Sequence, residues 1–374
     1  VDEAGVLALQ SEEIKVTLQE LLQILVNKRG SDLHVRSGGP AYIRVDGELS
    51  QISPEPIPAA DVDAMLMQVA SARGKRVFEE RGECDFSFQA GDVARFRVNA
   101  YRQRQKLCLA VRYISTTIPT LTDLRLPVAT LRKIADNSRG LVLVTGITGS
   151  GKSSTLAAMI DYINDTRAEH VLTIEDPVEF VHRDKKAIIT QREIGEDTAN
   201  YAEGLKMAMR QDPDVVLIGE MRDLETTSAA ITAALTGHLV FATLHTIDAV
   251  QTIARVVDLY PPHQQPLVRI QLAESLRAIV SQRLLASTKG GRAPAVEIMI
   301  NTPHVRKQIE DNKSQEIVQA LQKGQFYGMQ TFNQSLVKLF KDGLATEAEV
   351  LSAASSPDDL KLALRGIEQE IKPA

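Results

Sequence analysis

Residues 141–154 read LVLVTGITGSGKSS, and the rest of the chain is best understood from there. Four apolar residues, Leu141 to Val144, have the pattern of a short buried strand. Gly146, Gly149, Gly151, Lys152 and Ser153 follow with the spacing G-x-x-x-x-G-K-[ST] of a phosphate-binding loop. Gly146 and Gly151 let the backbone turn tightly, so that its N–H groups can close around phosphate oxygens. The next helix begins at the same place, and its positive N-terminal end adds to that field. Lys152 can reach the β- and γ-phosphates, and the Ser153 hydroxyl can ligate Mg²⁺. Thr148, Ser150 and Ser154 complete the candidate nucleotide-binding set. The bland alternative is an ordinary Gly/Ser turn, which the strand–loop–helix context disfavours. The stretch therefore implies a nucleoside triphosphate bound with magnesium.

Composition narrows the class. The chain has 374 residues, long enough for roughly two or three domains. Apolar residues make up 44% and charged residues 24%, as in soluble globular proteins. A net charge of −5 argues against a dedicated nucleic-acid binder. With no Trp and 4% aromatics, base-stacking platforms are sparse. The two cysteines, Cys84 and Cys108, form no C-x-x-C pair, which fits a reducing compartment and small core residues. No apolar run approaches the ~18 residues of a membrane span. The acidic start, Asp2 and Glu3, is unlike a secretory signal.

Along the chain, residues 1–15 show no periodicity and read as a loose arm. Thr17 and Glu20 form a capping box, and Leu18, Leu21, Leu22 and Leu25 share one helical face. Leu33–Val35 and Tyr42–Val45 read as strands, followed by helices over Ala59–Ala70 and Lys75–Glu80. Phe86, Phe88, Phe96, Val98, Leu107, Leu109 and Val111 alternate as in antiparallel strands. Residues 16–115 thus read as a small α+β domain, and 116–126, with Pro119, as a linker. Residues 127–374 read differently. Apolar strands at Leu141–Thr145, Val171–Glu175, Val215–Gly219 and Leu239–Thr243 alternate with helices near 153–165, 199–210 and 223–236. That pattern predicts a mostly parallel sheet covered on both sides. Beyond Pro262 the expectation is mainly helical, with Leu267, Ile270, Leu276, Ile279 and Val280 on one apolar face. A strand at Ala295–Ile300 and short helices near 303–311, 314–323, 331–342, 346–353 and 357–370 complete the reading.

Three further stretches lie at ends of the predicted core strands, and ligands of open α/β sheets bind at the carboxyl ends. In TIEDPVEF, Glu175 and Asp176 directly follow a buried strand, and either can orient water on Mg²⁺. In DPDVVLIGEMRD the apolar strand ends Gly219-Glu220, where a second acid is customary. Glu220 is the first candidate to orient the attacking water, with Glu175 beside it. In TGHLVFATLHT, His238 and His245 bracket a strand, and His245, at its carboxyl end, is the better functional candidate. Arg95, Arg97, Arg102, Arg104, Lys106 and Arg112 gather in the first domain. They read either as a solvated face or as arginines supplied to a phosphate.

Taken together, these stretches resemble the secretion-ATPase superfamily, and most closely its PilT/PilU family of type IV pilus retraction (twitching-motility) ATPases. GITGSGKSS is similar to the family's Walker A, TIEDPVEF to its Asp box, DPDVVLIGEMRD to its atypical Walker B and TGHLVFATLHT to its His box. SDLHVRSGGP, RFRVNAYRQR, QREIGEDT, QLAESLRAIVSQRLL and GMQTFNQSLVKLF extend the likeness over about residues 16–370. HVRKQIEDNK departs from an AIRNLIRE-like segment at Lys307 and Gln308, while Arg306 and Ile309 keep it. The resemblance implies a PAS-like N-terminal domain and a RecA-like ATPase domain. It implies a cytoplasmic homohexamer that hydrolyses ATP with Mg²⁺, with ATP between domains, to drive pilin disassembly for twitching motility. The expected place is peripheral, at the inner-membrane base of the pilus machine. The expected partners are its platform protein and a paralogous retraction ATPase. By motif match, Ser153, Glu175 and Glu220 serve the metal, His238 and His245 form the His-box pair, and Arg97 and Arg112 reach the nucleotide. A pilus-assembly or type II secretion ATPase is the nearest rival; those usually add a long N-terminal region and a four-cysteine zinc element. A RecA-like nucleic-acid motor and a non-hydrolysing ring subunit are the others. The first predicts a basic channel; intact Lys152, Ser153 and Glu220 oppose the second.

Overall fold

The computed structural model describes residues 16–45, 47–91, 94–114 and 117–366. The N-terminal arm expected over 1–15 lies outside the described residues. Contacts divide the chain into two units, Val1–Thr116 and Thr117–Ala374.

The first unit is a six-stranded antiparallel sheet with three helices. Its elements are α1 (Leu18–Asn27), β1 (Asp32–Arg36), β2 (Tyr42–Val45), β3 (Glu48–Gln51), α2 (Ala59–Val69), α3 (Ala72–Arg81), β4 (Glu83–Ala90), β5 (Ala94–Gln103) and β6 (Lys106–Ile114). The strand order is β3-β2-β1-β6-β5-β4. The capping box forms as expected: the Thr17 hydroxyl accepts from the Glu20 N–H, and the Glu20 carboxylate accepts from the Thr17 N–H at 2.9 Å. Leu18, Leu21, Leu22 and Leu25 then enter one core with Leu66, Phe78 and alternate residues of β4–β6. A helix-period stripe facing period-2 strands fills that core without burying polar backbone. β3 escaped the sequence reading because all four of its side chains are exposed. Such an edge has no apolar alternation to show.

The second unit holds a seven-stranded sheet of order β13-β12-β7-β11-β10-β8-β9. It begins with α4 (Val128–Ala135) and β7 (Gly140–Thr145), then α5 (Lys152–Thr166), β8 (His170–Glu175), β9 (Ile188–Glu193), α6 (Tyr201–Ala208) and β10 (Val215–Ile218). α7 (Leu224–Leu235), β11 (Leu239–Leu244), α8 (Ala249–Asp258), α9 (Gln265–Ser275), β12 (Leu276–Ala286) and β13 (Arg292–Ile300) follow. α10 (Pro303–Glu310), α11 (Ser314–Lys323), a 3₁₀ turn at Gly324–Tyr327, α12 (Phe332–Lys341), α13 (Glu347–Ala353) and α14 (Pro357–Leu364) close the chain. Ladders β12–β7, β7–β11, β11–β10, β10–β8 and β8–β9 are parallel; only β12–β13 is antiparallel. β7 and β11 are buried at every residue, because separate cores cover both faces of the sheet. Residues 117–126, read as a linker, contribute Leu121 and Leu126 to one of those cores. Among the described residues no helix is long and apolar enough to cross a membrane.

Two expectations need correction. The apolar residues after Pro262 do not share one helical face. α9 ends at Ser275 and β12 begins at the next residue; Leu267 and Ile270 are 59% and 46% exposed, whereas Leu276, Ile279 and Val280 are fully buried in the strand. A strand buried on both faces has no alternation, and a bulge between Leu276 and Ala278 blurs its phase further. The parallel sheet also gains β9, whose sequence IITQRE is only partly buried at an edge. A polar edge strand lacks the apolar run that marked the other four. The last helix ends at Leu364; residues 367–370 of that expectation lie outside the described residues.

Candidate active site

The carboxyl ends of β7, β8, β10 and β11 converge because their ladders keep these strands in parallel register. Ile218 pairs with Ile174 on one side and Ala242 on the other, and Thr145 pairs with Leu244. The residues just beyond those positions line a cleft of about 190 Å³. Lys152 and Ser153, Glu175, Glu220 and His245 all face it.

The loop after β7 is built as its glycines require. Gly146, Gly149 and Gly151 have φ of 144°, 78° and 92°, values that L-residues with a Cβ rarely adopt. Gly151 caps α5 without a side chain, which leaves the first N–H groups of the helix directed at the cleft. The Lys152 ammonium donates to the carbonyls of Gly146 (2.7 Å) and Ile147 (3.1 Å), so its charge is centred inside the loop. Burial lowers its pKa, opposed by the charges of Glu220 and Glu179. Thr148, Gly149 and Ser153 line the cleft with it. Ser150 turns inward instead; it is 2% exposed, and its hydroxyl has no hydrogen-bond partner among the described residues. Ser154, on the first turn of α5, is not among the lining residues.

The two acids are held differently. Glu175 ends β8 and accepts from the Thr173 hydroxyl (2.7 Å) and the Gln191 amide (3.2 Å). Burial outweighs those bonds and pushes its pKa up to about 7. Glu220 follows β10 and accepts from Arg222 (2.6 Å), with His245 Nε2 at 3.2 Å from its other oxygen. Burial raises its pKa, but Arg222 and His245 together bring it below the ordinary value. Near neutral pH, Glu220 is therefore an ionised acceptor, while Glu175 titrates there. The absent second acid at Gly219 has a steric reason. A Cβ at Gly219 would stand 2.9 Å from the Tyr201 hydroxyl and 3.2 Å from the Ile174 carbonyl.

His245 thus joins Glu220, as its place after β11 predicts. His238 does not join them. It precedes the amino end of β11, a six-residue strand, hence roughly 20 Å from the cleft. Its ring hydrogen-bonds the Ala233 carbonyl at 3.0 Å, a local structural partner. Arg97 and Arg112 belong to the first unit, where they are directly opposed across β5 and β6. Arg112 pairs with Asp32 at 2.8 Å and Arg97 approaches Asp85 at 3.9 Å, with side chains 67% and 45% exposed. Three site residues escaped the sequence reading: Gln191, Tyr201 and Arg222. Arg222 was traceable, since in an extended segment residues two apart share a face with Glu220. Gln191 and Tyr201 were not, because the sheet order brings β9 and α6 to the cleft.

Fold and site together define a P-loop ATPase with a RecA-like core, preceded by a PAS-like domain. The chain belongs to the type II/IV secretion system protein family, whose sequence profile matches residues 8–289. It is 45% identical over 342 residues to the type IV pilus retraction ATPase PilT of Pseudomonas aeruginosa, covering 91% of this chain and 99% of that one. A twitching motility protein of Neisseria gonorrhoeae is 48% identical over 316 residues, 84% of each chain. A crystal structure of the pilus retraction motor PilT with bound ADP superimposes with a TM-score of 0.87 at 43% identity, covering 92% of this chain and 99% of that one.

Proposed function

We propose that this chain is the ATPase motor of type IV pilus retraction, working as a homohexamer on the cytoplasmic side of the inner membrane. The observation that carries the reading is one cleft holding Lys152, Ser153, Glu175, Glu220 and His245, in a chain similar to PilT over nearly the whole PilT length. ATP is placed with its phosphates on the loop and the first turn of α5. The donors are oxygens, from the Ser153 hydroxyl and the Glu175 and Glu220 carboxylates, which suits a hard cation such as Mg²⁺. When bound, Mg²⁺ neutralises charge on the phosphates. Lys152 binds the β- and γ-phosphates as a fixed charge. Glu220 is ionised and held on two sides, so it can accept a hydrogen bond from water and aim it at the γ-phosphate. His245 steadies Glu220 through its Nε2. Arg97 and Arg112 have exposed side chains, and their ion pairs with Asp85 and Asp32 can be exchanged for contacts to phosphate oxygens.

Loss of the γ-phosphate removes a contact that favours one domain arrangement, and that bias does the work. The platform protein of the inner membrane and a paralogous retraction ATPase are the proposed partners. The C-terminal departure is compatible with this reading. Lys307 is exposed on α10, pairing with Asp311 at 2.9 Å, while Gln308 joins Val305 and Ile309 on its buried side. A strain lacking the gene should keep pili but lose retraction, with purified chain hydrolysing ATP only when magnesium is added. Loss of piliation itself would instead assign the chain to pilus assembly.

A further inference from the structure

β12 outlasts its neighbour β7. The ladder between them ends at Ser281 opposite Thr145, where β7 passes into the phosphate loop. The Thr145 hydroxyl closes that end by donating to Ser281 Oγ at 2.8 Å, in a buried setting. Gln282 comes next in β12, still paired to Val296 of β13, and it is 4% exposed. Three of its polar atoms face the loop and the first turn of α5. Its Oε1 accepts from the Thr155 hydroxyl of α5 at 2.8 Å, again fully buried. Its Nε2 lies 2.8 Å from where a Cβ on Gly151 would stand. Its carbonyl oxygen would collide with a Cβ on Gly146. Both glycines that define the loop spacing are therefore packed against one residue of a distant strand. This rear wall adds a steric demand for glycine at 146 and 151 to the one their positive φ already makes.

We infer that Gln282 is a positioning residue for ATP hydrolysis, holding Gly151 and the first turn of α5 so that Lys152, Ser153 and the loop N–H groups stay aimed at phosphate. The inference rests on the phosphate-binding reading of the cleft. Preorganised donors are effective only in place, and a displacement of about 1 Å can cost 10²-fold in rate. An apolar residue at 282 would leave the fully buried Thr155 hydroxyl unpaired and the wall beside Gly151 without its amide.

The test uses the full chain, a fluorescent ADP analogue, and Mg-ATP turnover with kcat and KM measured separately, all below each variant's Tm. Gln282→Met keeps length and removes both polar ends. Thr155→Val removes the same bond from the other partner, and Thr155→Ser retains the hydroxyl. Q282M and T155V should each weaken ADP binding about tenfold and lower kcat/KM. The double variant should lose no more than Q282M alone, since the two residues share one interaction. T155S should stay within about twofold of the parent. If Q282M lowers Tm but leaves ADP affinity, kcat and KM at parental values, the role is only structural and the inference falls. Strict additivity of the two changes also overturns it. Should Q282M fail to fold, the contrast between T155V and T155S decides by itself. A parent chain that binds no nucleotide would instead remove the phosphate-site reading, and this inference with it.

Discussion

Glu175→Gln should change how stability depends on pH, by an amount the site itself sets. Burial raises the Glu175 pKa from its ordinary 4.5 to about 7, against the pull of Thr173 and Gln191. In the unfolded chain the group returns to the ordinary value. Between these two pH values the folded state holds a proton that the unfolded state has released. Stability from this group is thus complete below pH 4.5 and is lost progressively as pH rises to about 7. At ~1.36 kcal/mol per pH unit, the loss amounts to about 3 kcal/mol. Gln cannot ionise, so E175Q lacks that loss. The stability difference between E175Q and the parent should therefore grow by about 3 kcal/mol in favour of E175Q from pH 4.5 to above pH 7. Urea unfolding of the intact chain, followed by circular dichroism at a series of pH values, reads this directly. Glu297, in β13, is an internal control. It accepts from the Ala249 N–H at 3.0 Å, and burial again raises its pKa to about 7. Its contribution should persist in E175Q and disappear only in E297Q. A pH-independent difference between E175Q and the parent would refute the buried-carboxylate account of the site.

Lys152→Ala removes the charge at the centre of the loop and should weaken nucleotide affinity at least about 100-fold; unchanged affinity by titration would sink the loop assignment. Glu220→Gln should retain nucleotide binding while turnover falls about 10²–10⁴-fold; near-parental turnover would move water activation to Glu175. Gly219→Ala places a Cβ 3.2 Å from the Ile174 carbonyl and 2.9 Å from the Tyr201 hydroxyl. It should destabilise the chain by roughly 1–3 kcal/mol, and an unchanged denaturation midpoint would show that β8 and α6 give way there.

How much was legible depends on where each feature's information is stored. The phosphate loop was legible because its chemistry is local: five residues in sequence supply the turns, the charge and the hydroxyl. The α1 cap was legible for the same reason, since its donors and acceptors are three residues apart. The four central strands announced themselves through continuous apolar runs, which parallel strands buried on both faces require. β12 failed by the same rule, because without alternation its residues 276–280 suit a helix as well as a strand. β3 and β9 failed because an edge strand's partner, rather than its own side chains, makes it a strand. His245 was legible from its place at the carboxyl end of a strand; its pairing with His238 came from motif likeness alone, and the length of β11 separates the two.

By itself, then, the amino-acid sequence determined the nucleotide loop, the four central strands with the helices between them, and the acids poised after β8 and β10. These follow from short-range spacing, which any local segment carries. Tertiary structure alone decided which of those acids stays ionised. Glu220 meets Arg222 and His245, whereas Glu175 is part-buried with neutral donors from Thr173 and Gln191. It also decided why residue 219 is glycine and what stands behind the loop. Tyr201 and Gln282 reach those positions only through the sheet order β12-β7-β11-β10-β8. Charge stabilisation and close packing depend on distances through space, and those are set only once the strands have found their neighbours.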